Sequence, residues 1–326
     1  MAQDLPRPTD NAFLGASLYG QAMEPNYAGA LSFLRRRYGR DLAGVDVAVW
    51  GVPLDSAVSN RPGARFGPRA IRAASAILDG DPVHPFAFDP FATLAAVDYG
   101  DCVWDYGRPE TIAPEIERQA GAILQAGAHL VSLGGDHFVT YPLLKAHAAR
   151  HGALALVQFD SHQDTWFDDG RRMDHATMMS RAVAEGLVRA ERSIQIGVRA
   201  HAPSRHGIDV VFAEEVAGLG AEGTAARIRE RVGDAKAYLS FDIDVLDPAF
   251  APGTGTPVCG GLSTREALAV LRRILDLRFV GMDVVEVSPP YDHAEVTALA
   301  AATMAQYYLC GLAARRGAQP MKELGP

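Results

Sequence analysis

Phe159-Asp160-Ser161-His162-Gln163-Asp164 places two carboxylates and an imidazole within five residues. The apolar run 154–157 comes directly before it and is typical of a buried strand. Two other segments repeat this order, since the run 130–133 leads into Gly134-Gly135-Asp136-His137 and the run 237–241 leads into Asp242-Ile243-Asp244. Three predicted strands therefore end in residues that bind metals. Together they indicate one shared site.

Strand and helix patterns alternate along the chain, which predicts an α/β fold with a mainly parallel sheet covered by helices on both faces. In open parallel sheets, ligands bind outside the carboxyl ends of the strands, where all three clusters fall. The eight predicted strands are 45–50, 93–98, 129–133, 154–159, 193–198, 209–213, 237–241 and 279–285. The predicted helices are 69–78, 113–126, 141–150, 177–186, 221–232, 263–276 and 294–315.

No linker and no internal repeat divides the chain, so we expect one catalytic domain over 44–318. Residues 1–43 are interpreted as an irregular arm packed on the domain or on a neighbouring subunit, and 319–326 as a C-terminal tail. The run Arg35-Arg36-Arg37 in the arm is interpreted as a solvated helix face, with an interface role as the alternative. The loop 60–68 is rich in Gly, Pro and Arg and is predicted to form a lip over a site, or else a turn with surface arginines.

The composition limits the class of protein. With 326 residues, of which 48% are hydrophobic, the chain can build a sizeable core. Its formal net charge of -8 argues against nucleic-acid binding. Cys102, Cys259 and Cys310 are widely spaced and indicate reduced thiols in a reducing compartment. Residues 1–18 lack a signal-peptide pattern and no long uninterrupted apolar run occurs, so we expect a cytoplasmic protein without a membrane partner.

The strand-end clusters together offer six ligands: His137, Asp160, His162, Asp164, Asp242 and Asp244. Four carboxylates in one place would strongly raise some of their pKa values unless cations neutralise them. Two divalent ions would do so, and Asp/His ligation without thiolate suits Mn²⁺ best, with Zn²⁺, Fe²⁺ or Co²⁺ as alternatives. Two ions about 3.5 Å apart lower the pKa of a shared water, which generates a hydroxide nucleophile at neutral pH. One such Asp or His alone would more often be a capping residue.

The motifs GGDH at 134–137, DxHxD at 160–164 and DxD at 242–244 resemble those of the ureohydrolases, the arginase/agmatinase family. The resemblance runs from Gly51-Val52-Pro53 to 298–302 and is strongest to the bacterial agmatinases. It implies a three-layer α/β/α fold, two Mn²⁺ per subunit and a homo-trimer or homo-hexamer. It also implies that His137, Asp160, Asp164 and Asp242 hold one ion. Asp160, His162, Asp242 and Asp244 would hold the other, with Asp160 and Asp242 bridging.

A guanidinium group is planar and permanently cationic, so a site that binds it needs a carboxylate. Glu286, which ends the last predicted strand, occupies the family position for this task. Asp164 is placed to take a proton from the hydroxide and pass it to the leaving amine. His175 matches a family histidine near the site entrance, where it would shuttle protons, contact substrate or cap a helix. Ser161 replaces the usual Ala and is expected to point away from the ions or to add an outer hydrogen bond.

The tail of the substrate is harder to assign. Arginases grip an α-amino-acid head with Asn and Ser after the DxHxD motif, and 166–172 lacks those residues here. Asp168 and Asp169 would attract the distal ammonium of agmatine, whereas Arg171 and Arg172 would suit a carboxylate. All four could also be solvated loop charges. We expect hydrolysis of agmatine to putrescine and urea, with hydrolysis of 4-guanidinobutyrate or 3-guanidinopropionate as the alternative. A non-catalytic homologue is the remote alternative, since such a protein would usually have lost a metal ligand and none is missing here.

Overall fold

Short β-branched and apolar runs form the strands of the sheet. The computed structural model describes residues 18–19, 25–78 and 82–320. The described residues form nine parallel strands in the order β1-β3-β2-β4-β9-β8-β5-β6-β7. The strands are β1 (Arg37–Tyr38), β2 (Val47–Val52), β3 (Ala96–Asp101), β4 (His129–Gly134), β5 (Ala155–Phe159), β6 (Ile194–Val198), β7 (Asp209–Phe212), β8 (Ala237–Asp242) and β9 (Phe279–Val285).

Helices connect the strands and cover both faces of the sheet, so the inner strands are buried along their whole length. The helices are α1 (Gly67–Ser75), α2 (Ile112–Gln125), α3 (Thr140–His151), α4 (Met178–Ala184), α5 (Ala213–Val232), α6 (Thr264–Ile274) and α7 (Val296–Arg315). By length and composition α7 could cross a membrane, but 83% of its most apolar window is buried within the fold. Such burial is typical of the core helix of a globular protein.

The predicted α/β fold with a parallel sheet is confirmed, and the eight predicted strands correspond to β2 through β9. The ninth strand, β1, lies inside the predicted arm and pairs with β3. Its two residues are too few to produce an alternating pattern. Helix α5 begins at Ala213, earlier than predicted, and Gly220 interrupts it with a φ of 64°. The predicted helix 221–232 is the part of α5 that follows this break.

The interpretation of Arg35 and Arg36 as a solvated helix face is wrong, because only 2% of Arg35 and 1% of Arg36 is exposed to solvent. The Arg35 guanidinium donates to the carbonyls of Pro25 and Ala28 at 2.9 and 2.6 Å. The Arg36 guanidinium carbon lies 4.0 Å from the centre of the Phe91 ring. A planar guanidinium that is hydrogen-bonded or stacked in this way can be buried. The contact of Arg36 with Phe91 therefore attaches the described part of the arm to the domain, whereas Arg35 bonds within the arm.

A buried ion pair joins α1 to β3, and breaking it is expected to destabilise the protein strongly. Arg72 Nε and Nη2 donate to the two carboxylate oxygens of Asp98 at 2.7 and 3.0 Å. Arg72→Met would leave the Asp98 carboxylate buried without its counter-ion, which costs about 3–5 kcal/mol of unfolding free energy. Urea unfolding measures this loss. The control is Arg118→Met, whose ion pair with Glu115 is largely exposed, and an equal loss in both variants would contradict the prediction.

Candidate active site and metal centre

The candidate site lies at the carboxyl edge of four adjacent strands, β4, β9, β8 and β5. His137 follows β4, Asp160 follows β5, Asp242 ends β8 and Glu286 follows β9. Parallel strands place all their carboxyl ends at one edge, so residues distant in the chain meet there. Asp242 of β8 pairs with Val285 of β9, and Glu286 is the next residue after Val285. The backbones of Asp242 and Glu286 therefore lie close together.

The structure brings all six predicted metal ligands together. His137 Nδ1 lies 3.0, 2.9 and 3.1 Å from an Oδ2 atom of Asp160, Asp164 and Asp242 respectively. His162 Nδ1 lies 3.0 Å from Asp244 Oδ2. Two ligand groups result, and they share Asp160: His137 with Asp160 and Asp242, and Asp160 with His162 and Asp244. Within each group the ligand atoms all lie within 4.8 Å of one another.

The carboxylates and imidazoles of the cluster shift one another's protonation. Burial, together with the charge of Asp160, raises the pKa of Asp164 to about 7. Burial and the charges of Asp244 and Asp160 raise the pKa of Asp242 well above its ordinary value. Burial opposes the protonation of His162, yet Asp244 and Asp160 raise its pKa to about 12. The buried carboxylates are therefore stable as anions only when positive charge lies beside them. In the metal-free protein the protonated imidazoles supply this charge.

The residues fit a pair of divalent cations. His137 Nδ1 is buried and has no hydrogen-bond partner among the described residues, although three carboxylate oxygens surround it. A cation between this nitrogen and the carboxylates would satisfy all of them. The donor set is carboxylate oxygen and imidazole nitrogen without thiolate, which matches the borderline to hard divalent metals.

Loading the metal-free protein with Mn²⁺ is expected to release protons at neutral pH. Carboxylates raise the pKa of His162 to about 12 and that of His137 well above its ordinary value, so both rings hold protons that metal binding must displace. Affinity should therefore increase from about pH 6 to about pH 8. Calorimetric titration in buffers of different ionisation enthalpy measures the protons released. Affinity that stays constant over this range, without proton release, would contradict the prediction.

Glu286 and His175 form a second unit beside the metal ligands. Glu286 Oε1 accepts from the His137 backbone N–H at 2.8 Å and lies 2.9 Å from His175 Nδ1. Glu286 Oε2 is buried and has no hydrogen-bond partner in the described part of the chain. Burial opposes the protonation of His175, but Glu286, and then Asp164 and Asp136, raise its pKa to about 9. Glu286 therefore keeps one oxygen available for a cationic group.

The residue directly before the predicted lip 60–68 contacts the site, and the first residue of the lip bonds to the segment at Gly255. The Ser59 backbone N–H donates to His175 Nε2 at 3.1 Å, and Ser59 Oγ lies 2.8 Å from the same nitrogen. Asn60 Nδ2 donates to the Gly255 carbonyl at 2.9 Å. A Cβ atom on Gly255 would lie 3.1 Å from Glu286 Oε2, which shows how closely this backbone covers the carboxylate. The loop thus joins His175 to the segment that covers Glu286.

Two site residues have unusual backbone conformations. Asp164 and Glu286 have φ values of 52° and 65°, in the left-handed region that non-glycine residues seldom adopt. Such conformations cluster at functional sites, where the surrounding structure enforces them. The backbone of Gly135 contacts one of them: its N–H donates to the Val52 carbonyl at 2.7 Å, and its carbonyl accepts from the Glu286 N–H at 2.8 Å. A Cβ on Gly135 would overlap the Leu54 backbone, so only glycine fits there.

A cavity of about 200 Å³ opens onto the metal ligands. Its lining residues are Ser59, His162, Asp164, Trp166, His175, Ala176, Asp242 and Thr256. Of the described residues that line it, none is Lys or Arg. Glu286 is not among the lining residues, but its Oε1 lies 2.9 Å from Nδ1 of His175, which is. Sequence reasoning missed the neutral wall residues Ser59, Ala176 and Thr256, because such residue types carry no chemical signal of their own.

The structure gives Asp168 and Asp169 partners other than a substrate. Asp168 Oδ1 accepts from Arg181 Nε and Nη2 at 3.0 and 2.9 Å, and its Oδ2 accepts from Thr177 Oγ1 at 2.6 Å. Asp169 is exposed and accepts from the backbone N–H groups of the two arginines that follow it. Neither carboxylate lines the cavity. The suggestion that they attract the substrate ammonium is therefore corrected, because Asp168 is already paired and Asp169 faces solvent.

The other residues singled out in the sequence are Ser161, two arginines and three cysteines. Ser161 Oγ lies 2.9 Å from His162 Nδ1, the nitrogen that also faces Asp244. Arg171 and Arg172 are exposed and do not line the cavity. The three cysteines are free, with Cys102 and Cys310 buried and Cys259 exposed.

Two His/Asp groups share a carboxylate at the carboxyl edge of a parallel sheet that lies between helical layers. This arrangement is that of a hydrolase with a binuclear type of metal centre. The chain belongs to the arginase family, because the family model described as Arginase family matches residues 45–311. It is accordingly a hydrolase of a family that acts on guanidino groups.

Individual relatives agree with this assignment. The agmatinase of Chromobacterium violaceum is 52% identical over 303 residues, which cover 92% of this chain and 94% of that protein. A crystal structure of a hypothetical agmatinase from Burkholderia thailandensis matches with a TM-score of 0.93 and 50% identity, covering 95% of this chain and 99% of that one. Proclavaminate amidino hydrolase from Streptomyces clavuligerus matches with a TM-score of 0.83 and 40% identity, covering 90% and 100%. The predicted family and fold are thus confirmed.

Proposed function

We propose that this protein hydrolyses agmatine to putrescine and urea, as a step of polyamine biosynthesis. The observation that carries the proposal is the 52% identity to a protein named agmatinase over 92% of this chain. We also propose, as the family resemblance implies, a cytoplasmic homo-oligomer, trimeric or hexameric, that acts on a small guanidino compound and has no nucleic-acid or membrane partner.

The charges around the cavity favour agmatine over a guanidino acid. A guanidino acid carries a carboxylate on its tail, and of the described residues that line the cavity none is a Lys or Arg that would bind it. Arg171 and Arg172, the candidates for that task, are exposed and lie outside the lining. Agmatine carries an ammonium on its tail instead. The half-buried Trp166 in the cavity wall offers this ammonium an aromatic face.

The ligand sets follow the six residues of the cluster. His137, Asp160, Asp164 and Asp242 would hold one cation, and Asp160, His162, Asp242 and Asp244 the other, with Asp160 and Asp242 shared. The chemistry that such a pair of divalent cations, Mn²⁺ in this proposal, supplies when bound is a water of lowered pKa that can attack the guanidinium carbon at neutral pH.

The chain's own residues bind the substrate and move the protons. Glu286, with one carboxylate oxygen lacking a partner, would accept hydrogen bonds from the guanidinium. Asp164, whose Oδ2 lies in the ligand cluster 2.9 Å from His137 Nδ1, would take the proton of the attacking water and give it to the leaving nitrogen as the carbon–nitrogen bond breaks. His175, hydrogen-bonded to Glu286 and lining the cavity, would carry a second proton from solvent to the departing amine.

The direct test is urea release by the purified protein loaded with Mn²⁺. The substrates are agmatine, arginine, 4-guanidinobutyrate and 3-guanidinopropionate, each with a chelator-treated control. Fastest release from agmatine is the expected result. Preference for a guanidino acid would replace agmatine by that substrate and leave the metal ligands as proposed. An absence of urea from all four compounds would overturn the proposal.

Trp166→Leu is expected to lower kcat/KM for agmatine by about tenfold, because a cation–π contact that is largely desolvated contributes about 1–2 kcal/mol. The comparison substrate is n-pentylguanidine, in which a methyl group replaces the ammonium, and its kcat/KM should change less. Trp166→Phe, which keeps an aromatic face, is the matched control and should retain most of the preference for agmatine. Equal losses for both substrates would show that Trp166 acts only on the shape of the cavity.

A further inference from the structure

A row of buried polar side chains crosses the sheet beneath the metal ligands. Its members are Ser132 of β4, Asp283 of β9, Ser240 of β8, Gln158 of β5 and Gln195 of β6. Each is the register partner of the next in the adjacent strand, and each is fully buried. Inner strands of parallel sheets are normally apolar, and buried polar groups are costly unless hydrogen-bonded. This polar row therefore calls for a physical explanation.

One arm of the polar row ends on the metal ligand His137. Ser240 Oγ lies 2.8 Å from His137 Nε2 and donates to Asp283 Oδ1 at 2.7 Å. Asp283 Oδ2 accepts from Thr140 Oγ1 at 2.8 Å and from the Tyr238 hydroxyl at 2.9 Å. A serine hydroxyl has one hydrogen, and here it is directed to Asp283. Ser240 Oγ is thus left to accept from Nε2–H, which leaves Nδ1 as the nitrogen that a cation can take once its proton is displaced.

The other arm of the polar row ends on the shared ligand Asp160. Gln158 Nε2 donates to Asp160 Oδ2 at 2.6 Å. Gln195 Nε2 donates to Gln158 Oε1 at 2.9 Å and to the Gln163 carbonyl at 2.6 Å. Because its oxygen accepts from Gln195, the Gln158 amide can turn only its NH₂ group toward Asp160. The His162 backbone N–H donates to the other Asp160 oxygen at 2.7 Å, so both oxygens are oriented.

We propose that the polar row is the positioning layer of the metal centre. Asp283, acting through Ser240, holds the His137 ring in the tautomer that offers Nδ1 to a cation. Gln195, acting through Gln158, fixes the carboxylate that the two ligand groups share. None of these four residues lines the cavity, so all are positioning residues. The inference rests on the metal centre described above, and it does not depend on which guanidino compound is cleaved.

The test is calorimetric titration of Mn²⁺ into protein stripped of metal by a chelator. Ser240→Ala and Gln158→Met each remove one of the two arms and should weaken Mn²⁺ binding by about 10–100-fold, the usual effect of losing an outer partner of a metal ligand. Asp283→Asn, which keeps the volume of the side chain, should weaken it as well. The matched control is Ser132→Ala. Ser132 Oγ belongs to the same row but has no hydrogen-bond partner among the described residues, so its loss should leave affinity unchanged.

Thermal unfolding of the metal-free variants separates positioning from a merely structural role. A structural role would lower the unfolding temperature and leave the Mn²⁺ affinity at the wild-type value. Variants with Ser240→Ala or Gln158→Met that bind Mn²⁺ as tightly as Ser132→Ala would overturn the inference. A wild-type protein that binds no Mn²⁺ would overturn the metal centre, and the inference with it. A wild-type protein that binds Mn²⁺ but releases no urea would affect only the proposed function.

Discussion

Asp242→Ala is expected to lower urea release by about 10³-fold or more, equivalent to at least about 4 kcal/mol of activation free energy. Asp242 Oδ2 lies 3.1 Å from His137 Nδ1, and its Oδ1 accepts from the Asp244 backbone N–H at 2.8 Å. The substitution thus removes one ligand and also releases the turn that positions another. Steady-state urea assays, with metal content measured on the same samples, test both effects.

The control for this substitution is Asp169→Ala. Asp169 is a carboxylate on the segment that follows the metal ligands, but it is exposed and lies outside the cavity. Its loss should leave turnover and metal content close to those of the wild type. Near-normal turnover in Asp242→Ala would contradict the assignment of a binuclear metal centre.

Glu286→Gln is expected to lower kcat/KM for agmatine by about 10–10²-fold, because a hydrogen bond between charged groups contributes about 1.5–3 kcal/mol. The amide oxygen of glutamine can still accept from the His137 N–H and from His175, so the fold of the site is retained. The negative charge that would face the guanidinium is lost. Steady-state kinetics on Mn²⁺-loaded protein measure the effect.

Metal content is the internal control for Glu286→Gln, because Glu286 belongs to neither ligand group. It should stay at the wild-type value. A fall in metal content would place Glu286 in the metal centre instead. A pH–rate profile gives a second comparison: if Glu286 acted only through His175, the change would appear as a shifted acid or base limb, with KM unaltered.

The sequence predicted the fold and the ligands for a shared reason. Alternating strand and helix patterns indicate a parallel sheet, and this sheet type collects residues such as Asp160 and Asp242 at one edge. Glu286 was assigned from the family resemblance and from the carboxylate that a guanidinium needs, and its role stays a prediction. In each of these cases the chemical type and its position at a strand end were both visible in the sequence.

Other features depend on three-dimensional neighbours and left no pattern in the sequence. A run of charged residues is usually solvated, so the burial of Arg35 and Arg36 could not be predicted without the Phe91 ring and the carbonyls that receive them. The polar row was hidden because its members are neighbours only in the strand order β4-β9-β8-β5-β6, which does not follow the chain. The pairing of Asp168 with Arg181 likewise required the position of α4.

The place of β9 in the sheet has a consequence for the order in which the newly made protein matures. Strands β1 to β4 form one half of the sheet and β5 to β8 the other, and β9 is the strand that joins β4 to β8. His137 belongs to the first half, whereas the other five ligands belong to the second. A ribosome-bound chain that ends between Asp244 and Phe279 therefore contains every ligand but lacks β9, the strand that pairs with both halves. Because such long-range pairing is slow, we expect metal capture to follow the completion of synthesis.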